Sequence, residues 1–182
     1  HEVVRLSGMN IIVDDDDYPL IIKVASMPNS RLQVYFLDNE DFFKRKSVFE
    51  DADGVPFEDN PDRMIFFSKG IIETVKKFGW PPDIIHIHGW MTSLIPFYLR
   101  TAYKNEPLFQ NSKIVYSVHG EPVFDKNAPK RFFEKANINN LSKKELDVFR
   151  DGDGLNLHRG ACKFADGIII GSEDIDTSVD YL

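Results

Sequence analysis

A short apolar run that ends in a His-Gly pair decides the fold: DIIHIHGW, residues 83–90. The run Ile84 to His88 is too short for a helix and rich in β-branched residues, which predicts a buried strand closed by a glycine. The same pattern returns in KIVYSVHG, residues 113–120, and in GIIIGS, residues 167–172. Helical patterns separate the three runs, so we expect parallel strands joined by crossover helices.

The segments before and between these strands complete the expected architecture. Residues 1–37 predict an antiparallel hairpin region, with a tight turn at Pro28-Asn29-Ser30. Residues 38–59 predict a long irregular connection, and residues 60–182 a parallel α/β region. The sequence therefore predicts an α/β fold with a Rossmann-like parallel sheet, crossover helices and an N-terminal β-hairpin.

Helix signals mark four segments of the α/β region. Asn60 is a suitable N-cap, Pro61 fits the first helical position, and Gly79 with two prolines ends that helix. The other predicted helices run from Trp90 to Tyr103, from a cap at Ser142 with Glu145 three residues on, and from about Asn156 to Ala165.

Composition limits the classes of protein. The chain has 182 residues, about one domain, and a net charge of −7 from 22 Lys and Arg against 29 Asp and Glu. Such a surface repels phosphate backbones, so we expect no nucleic-acid partner. No apolar run approaches the roughly 18 residues needed to cross a bilayer, so we expect no membrane partner. One cysteine, Cys162, excludes an internal disulfide and fits a reducing compartment.

The start of the chain suggests a piece of a longer protein. It begins at His1 without a methionine and has neither a basic start nor an apolar signal core. We therefore expect both ends to be cut from something longer.

Three histidines are candidate functional groups. His86 and His88 alternate with isoleucines, so both point to one face of their strand, and His119 ends the neighbouring strand. We predict that His86 is structural and bonded to backbone, whereas His88, at the strand tip beside a glycine, faces a ligand. A zinc ion held by the three imidazoles is an alternative, although no Cys or acidic residue joins them at a telling spacing.

Other conspicuous features favour structural roles. The acidic clusters Asp14 to Asp17, 51–54 and 151–154 lack the remaining calcium ligands and predict solvated turns. Cys162 is predicted to be a buried small hydrophobe. The aromatic residues Phe124, Phe132 and Phe133 favour core or subunit contacts over a substrate platform.

Two motifs resemble those of one enzyme family. The run from Asp59 to Ser68, DNPDRMIFFS, resembles D-N-x-x-R-F, and residues 80–99, WPPDIIHIHGWMTSLIPFYL, resemble P-D-x-x-H-x-H-D-W-x-x-x-L-x-P-x-Y-L. Both patterns belong to the bacterial glycogen synthases and plant starch synthases. The resemblance extends from about Gln33 to the C-terminus and includes Ala165-Asp166 and Gly171-Ser172.

This resemblance implies a retaining α-1,4-glucosyltransferase that moves glucose from ADP-glucose or UDP-glucose to the non-reducing end of an α-glucan. It implies that residues 1–182 are part of the N-terminal, acceptor-side half of a cytoplasmic enzyme with two Rossmann-like domains and no cofactor or metal. By resemblance His88 is catalytic and contacts the donor glucose, and Asp59, His119, Gly89 and Trp90 bind substrate.

The resemblance has departures that keep alternatives open. Gly89 stands where the family has Asp, Met91 where His or Gln is usual, and Gly120 where the family has Asn. The family's K-x-G-G-L loop, and its C-terminal domain with the E-x7-E motif, are not in these residues. We therefore expect the 182 residues to be inactive alone. The alternatives are a non-catalytic glucan-binding or scaffold domain, or a related glycosyltransferase with another sugar-nucleotide donor.

Overall fold

The computed structural model of the chain describes residues 2–120, 129–171 and 173. Its N-terminal part is an antiparallel sheet of three strands in the order β1-β2-β3, formed by β1 (Val4–Val13), β2 (Asp16–Ser26) and β3 (Gln33–Asp38). The β2–β3 pairing confirms the predicted hairpin, with Ile22 opposite Leu37. β1 adds a third strand through a turn at Asp14, whose φ is 57°.

The irregular connection after β3 holds one short helix, α1 (Glu40–Phe43), and leads to the long helix α2 (Asn60–Phe78). The predicted cap is off by one residue: Asp59 is the N-cap, and its side chain makes no capping hydrogen bond. Gly79 ends the helix as expected, in the left-handed conformation with φ 67°. α2 packs against the antiparallel sheet and against α3 (Leu94–Arg100).

The three apolar runs form the strands β4 (Ile84–His88), β5 (Lys113–Val118) and β8 (Gly167–Ile170). These strands make one parallel sheet in the order β4-β5-β8, which confirms the predicted architecture. Their register places His88 beside Ser117 and Ser117 beside Ile169. The carboxyl ends of all three strands therefore lie at one edge of the sheet.

The crossover segments are more broken than the sequence pattern suggests. A 3-10 turn (Trp90–Thr92) precedes α3, so the helix predicted from Trp90 to Tyr103 is two shorter elements. Between β5 and β8 lie α4 (Phe132–Lys135), α5 (Lys143–Leu146), the two-residue strands β6 (Arg150–Asp151) and β7 (Gly154–Leu155), and α6 (Leu157–Cys162). The capping box of Ser142 and Glu145 is present, and Asn156 caps α6.

A continuous core joins the two sheets through α2 and α3. Its largest fully buried side chains include Tyr98, Tyr116, Phe66, Phe97, Phe132 and Phe149. The core also takes up two of the residues interpreted as structural, since Phe132 is 1% exposed and Cys162 is 4% exposed. Phe124 lies outside the described residues.

Asp166 fastens β8 to the rest of the parallel sheet. Its carboxylate accepts hydrogen bonds from the Ile114 backbone at 2.8 Å and from Arg100 at 2.9 Å. Its own backbone N–H donates to the Ile114 carbonyl at 2.7 Å. The Ile114 hydrogen bond is the largest cause of a lowered pKa for Asp166, followed in the same direction by the charges of Arg100 and Lys113.

One face of the parallel sheet is open. The face that carries His86 and His88 also carries Ile84, which is 65% exposed, and Ile169, which is 46% exposed. On the opposite face Ile87 and Tyr116 are buried, whereas Ile170, at the end of β8, is 49% exposed. Among the described residues, no helix combines the length and the apolar character that crossing a membrane requires.

The acidic clusters lie in turns. Asp51 accepts hydrogen bonds from the backbone of Asp53 and Val55, each at 2.9 Å. Residues 151–154 form the tight turn of the β6–β7 hairpin. Asp14 and Asp15 make the β1–β2 turn, but Asp16 and Asp17 belong to β2, so the first cluster is only partly a turn.

Candidate functional site

Two histidines meet where β4 and β5 end. His88 is the last residue of β4, and His119 follows the last residue of β5. His88 Nδ1 lies 3.3 Å from His119 Nε2, and the rings stack with an interplanar angle of 17°. Because the strands are parallel and adjacent, two positions that are 31 residues apart in sequence are brought into hydrogen-bond contact. The structure thus brings together the two predicted site histidines.

The turn after His88 is held by backbone groups of both strands. The Gly89 N–H donates to the Ser117 carbonyl at 3.0 Å, and the Gly89 carbonyl accepts from the Thr92 hydroxyl at 3.0 Å. The Thr92 hydroxyl also lies 2.8 Å from the His88 carbonyl. These bonds fix the direction in which the chain leaves the strand, and hence the place of the His88 side chain.

The two glycines that depart from the family pattern have different backbone conformations. Gly89 has φ 76° and ψ 169°, a region that only glycine adopts readily. An Asp at this position would therefore require a different turn. Gly120 has φ 58°, a left-handed conformation that Asn also tolerates. The conformation of Gly89 is therefore one that the family's Asp would not adopt readily.

His86 differs from the prediction. It is exposed, and its Nε2 lies 2.8 Å from the Ser117 hydroxyl, so it is bonded to a side chain and not to backbone. The expected bond to backbone was wrong, because the ring lies on an open face of the sheet beside the Ser117 hydroxyl, whereas the structural role of His86 stays a prediction. The His86 ring also contacts His88, with centroids 4.0 Å apart.

The histidine cluster favours a neutral His88. Desolvation is the largest cause that lowers the pKa of His88 below its ordinary value, and the neighbouring His86 and His119 act in the same direction. A neutral imidazole can donate one hydrogen bond and accept another. His88 is therefore suited at neutral pH to hydrogen bonding with hydroxyl groups.

The geometry gives no support to the zinc alternative. Within the described ranges, no group of three or more His, Cys, Asp and Glu side chains is arranged to hold a metal ion. His86, His88 and His119 are in contact, but their nitrogens bond to Ser117 and to each other.

A buried histidine that the sequence reasoning missed ties the two strand-end turns together. His158 in α6 is 2% exposed, and its Nε2 donates to the Gly120 carbonyl at 2.7 Å. Its Nδ1 lies 2.9 Å from the Tyr116 hydroxyl, which is 3.1 Å from the Gly89 carbonyl. His158 and Tyr116 thus support the backbone below both site histidines. The only signal in the sequence is a lone His on a short helix, which indicates no partner.

Asp59 lies away from the histidine pair, in the wall of a separate cavity. The cavity has a volume of about 370 Å³, and neither His88 nor His119 lines it. Asp59 is held by Arg45, which donates to its two carboxylate oxygens at 2.7 and 2.5 Å. A ligand that used the Asp59 carboxylate would have to share it with this ion pair. Substrate binding by Asp59 stays a prediction.

The rest of the Asp59 motif anchors the irregular connection. Arg63 is 3% exposed and donates hydrogen bonds to the carbonyls of Phe42 and Val48 and to the Asn60 side chain. Its guanidinium also lies 5.5 Å from the Phe57 ring. Arg63 therefore joins both ends of the connection to α2.

Trp90 is buried beside the site. It is 3% exposed, and its ring lies 4.8 Å from that of Phe49. This packing indicates that Trp90 fixes the turn after His88 against the core. A direct contact between Trp90 and a substrate stays a prediction.

Fold and site together define an α/β protein whose polar groups converge at the carboxyl edge of a parallel sheet, the place where such folds bind ligands. A family model described as the starch synthase catalytic domain matches residues 1–179. The chain therefore belongs to the starch synthase catalytic-domain family.

Relatives agree with this family, and a solved structure shares the fold. The chain is 36% identical over 168 residues to a glycogen synthase of Chlorobium limicola, covering 91% of this chain and 33% of that protein. It is 38% identical over 176 residues to a glycogen synthase of Chlorobaculum parvum, with the same coverage. The catalytic domain of Starch Synthase IV from Arabidopsis thaliana, bound to ADP and acarbose, shares the fold with a TM-score of 0.71 at 20% identity; the match covers 92% of this chain and 33% of that one. The chain spans about a third of the length of these relatives.

Proposed function

We propose that the chain is part of a retaining α-1,4-glucosyltransferase that moves glucose from ADP-glucose, or from UDP-glucose, to the non-reducing end of an α-glucan. The observation that carries this proposal is the His88–His119 pair at adjacent strand ends in a chain of the starch synthase family. The solved relative supports a nucleotide donor, since its structure contains ADP.

His88 is the proposed catalytic residue. The transition state of glucosyl transfer resembles an oxocarbenium ion, which oriented hydrogen bonds to sugar hydroxyls stabilise. A neutral His88 can supply such a bond. Its Nδ1 lies 3.3 Å from His119 Nε2, and this contact orients the His88 ring. Its other nitrogen, Nε2, makes no hydrogen bond within the part of the chain that the structure describes.

The remaining substrate contacts follow from position. His119 adjoins His88. Gly89 lets a sugar approach the backbone, because it has no side chain and, among the described residues, a Cβ there would meet only the His119 carbonyl oxygen, at 3.9 Å. Asp59 and Trp90 are the other proposed substrate-binding residues. Asp59 would bind through a carboxylate that it shares with Arg45, and Trp90 would act through the turn after His88 that it holds.

We further propose that the chain is the acceptor-side, N-terminal part of a cytoplasmic enzyme and needs a second domain of the same polypeptide for turnover. The chain spans a third of its relatives, and the open sheet face exposes Ile84 and Ile169. Covering that face with further parts of the polypeptide would bury these side chains.

The test is transfer of radioactive glucose to glycogen from ADP-glucose and UDP-glucose in parallel. We expect transfer by a polypeptide that contains the chain and the second domain, and none by the 182 residues alone. The product is then digested with an enzyme that removes glucose only from the non-reducing end of a glucan. Release of the radioactive label in this digestion shows that the glucose was added at that end. Turnover by the isolated chain, or none by the longer polypeptide, would refute the proposal.

Gly89 favours one second candidate, a non-catalytic glucan-binding or scaffold protein, because it removes a carboxylate that the family pattern has at this place. That candidate predicts cosedimentation with glycogen but no transfer by the longer polypeptide. A panel of other sugar nucleotides in the same assay separates a third possibility, a glycosyltransferase with another donor.

A further inference from the structure

The third strand end contributes a glycine to the histidine pair. Gly171 directly follows β8, and its backbone N–H donates to the Val118 carbonyl at 2.9 Å. Because β8 runs parallel to β5, this bond places Gly171 beside His119, the residue after Val118. The ends of β4, β5 and β8 thus provide His88, His119 and Gly171 in turn.

The His119 imidazole occupies the space that a side chain at position 171 would need. A Cβ built on Gly171 would lie 2.0 Å from Cε1, 2.4 Å from Nδ1 and 2.6 Å from Nε2 of His119. All three distances are far below van der Waals contact, so the ring packs directly against the glycine. A Cβ on Gly167, in the same strand, would be 3.8 Å from its nearest neighbour, a Val115 methyl. Of these two glycines, Gly171 alone is approached closely.

The contact with Gly171 determines where the His119 Nε2 atom lies relative to His88. His119 Nε2 is both the atom 3.3 Å from His88 Nδ1 and one of the atoms that a side chain at position 171 would displace. We propose that Gly171 is a positioning residue that seats the His119 imidazole and, through it, orients His88. The step from this geometry to catalysis rests on the proposed function, whereas the geometry does not.

The test compares Gly171→Ala with the matched control Gly167→Ala in the 182-residue protein. Long-range proton–nitrogen NMR spectra of the histidine rings report which nitrogens carry protons and how each ring titrates. In Gly171→Ala we expect the His88–His119 bond to be lost and the pKa of His88 to rise toward its ordinary value, since His119 is one cause of its lowering. Gly167→Ala should leave the His88 signals unchanged.

A double substitution separates the clash with His119 from a backbone effect at position 171. The cost of overpacking predicts that Gly171→Ala lowers the urea midpoint by about 0.5–1.5 M. In a His119→Ala background the same change should leave the midpoint unmoved, because the ring is gone. The proposal is overturned if the His88 signals of Gly171→Ala match those of the unsubstituted chain, or if the midpoint falls equally in both backgrounds.

Turnover by the longer polypeptide tests the proposed function separately. We expect Gly171→Ala to lower kcat, because the change displaces His119 and thereby disturbs His88. Altered His88 signals with an unaltered kcat would support the positioning role and contradict catalysis by His88.

Discussion

Replacement of Arg63 by methionine tests how the long connection is held to the fold. Methionine keeps the unbranched stem and removes the guanidinium, which donates at 2.9 Å to Phe42, 2.6 Å to Val48 and 2.7 Å to the Asn60 side chain. The acceptors lose these bonds in a site where Arg63 is only 3% exposed. Burial is also the largest cause of a lowered pKa for Arg63, so the charge itself has an unfavourable cost.

The expected loss follows from the three bonds. Hydrogen bonds to charged groups contribute about 1.5 kcal/mol each at the low end, or about 4.5 kcal/mol for three. Removing the buried charge also removes its desolvation cost, which offsets about 1.5 kcal/mol of this loss. The net destabilisation is therefore about 3 kcal/mol. With a urea m-value of about 2 kcal/mol/M, the midpoint falls by about 1.5 M.

Urea unfolding followed by tryptophan fluorescence measures this loss, since Trp90 packs on Phe49 within the connection. Arg31→Met is the matched control, because Arg31 lies exposed in the β2–β3 turn, and it should change stability by no more than about 0.5 kcal/mol. Limited proteolysis should cut residues 44–59 faster in Arg63→Met than in the control. A loss below about 1 kcal/mol with unchanged proteolysis would refute the anchoring role of Arg63.

Three further substitutions or treatments test the packing. Gly160→Ala places a Cβ 2.1 Å from the buried Phe149 ring, so thermal unfolding should show a loss of about 1–3 kcal/mol that Phe149→Leu partly rescues. Burial raises the pKa of Cys162 to about 11, so its thiol should resist a disulfide reagent at pH 8 until urea unfolds the chain. Because the pKa of Asp166 is lowered in the folded chain, its ionised carboxylate stabilises the fold. This stabilisation is complete above the ordinary Asp pKa and is lost as the pH falls through the pKa of Asp166 in the folded chain. Asp166→Asn should therefore cost about 1 kcal/mol at pH 7 and flatten the acid dependence of stability, and equal pH profiles would contradict this.

Local patterns in the sequence were enough to predict the parallel sheet. The three apolar runs closed by glycine, the helix from Asn60 to Gly79 and the capping box at Ser142 depend on neighbours within a few residues, and the structure shows each of them. The sequence does not predict β1 as a separate strand, because the residues of β1, VRLSGMNIIV, lack a regular alternation of apolar and polar residues. The predicted backbone partner of His86 was wrong for a tertiary reason, since the neighbouring strand places the Ser117 hydroxyl within reach.

The site was predictable only in part. Parallel strand ends made the meeting of His88 and His119 foreseeable, since it follows from topology alone. The contacts of His158 with Gly120 and of His119 with Gly171 bridge 38 and 52 positions, and no local pattern encodes them. The bonding of Asp59 to Arg45 likewise depends on the path of an irregular connection.

The rate of glucose transfer by the longer polypeptide with His88→Ala tests the central claim most directly. Lys144→Ala, an exposed change on α5, is the control, and circular dichroism confirms that both variants are folded. The account predicts that His88→Ala lowers kcat about 10²- to 10³-fold while Lys144→Ala leaves it unchanged. A folded His88→Ala enzyme with the unsubstituted kcat would contradict the account.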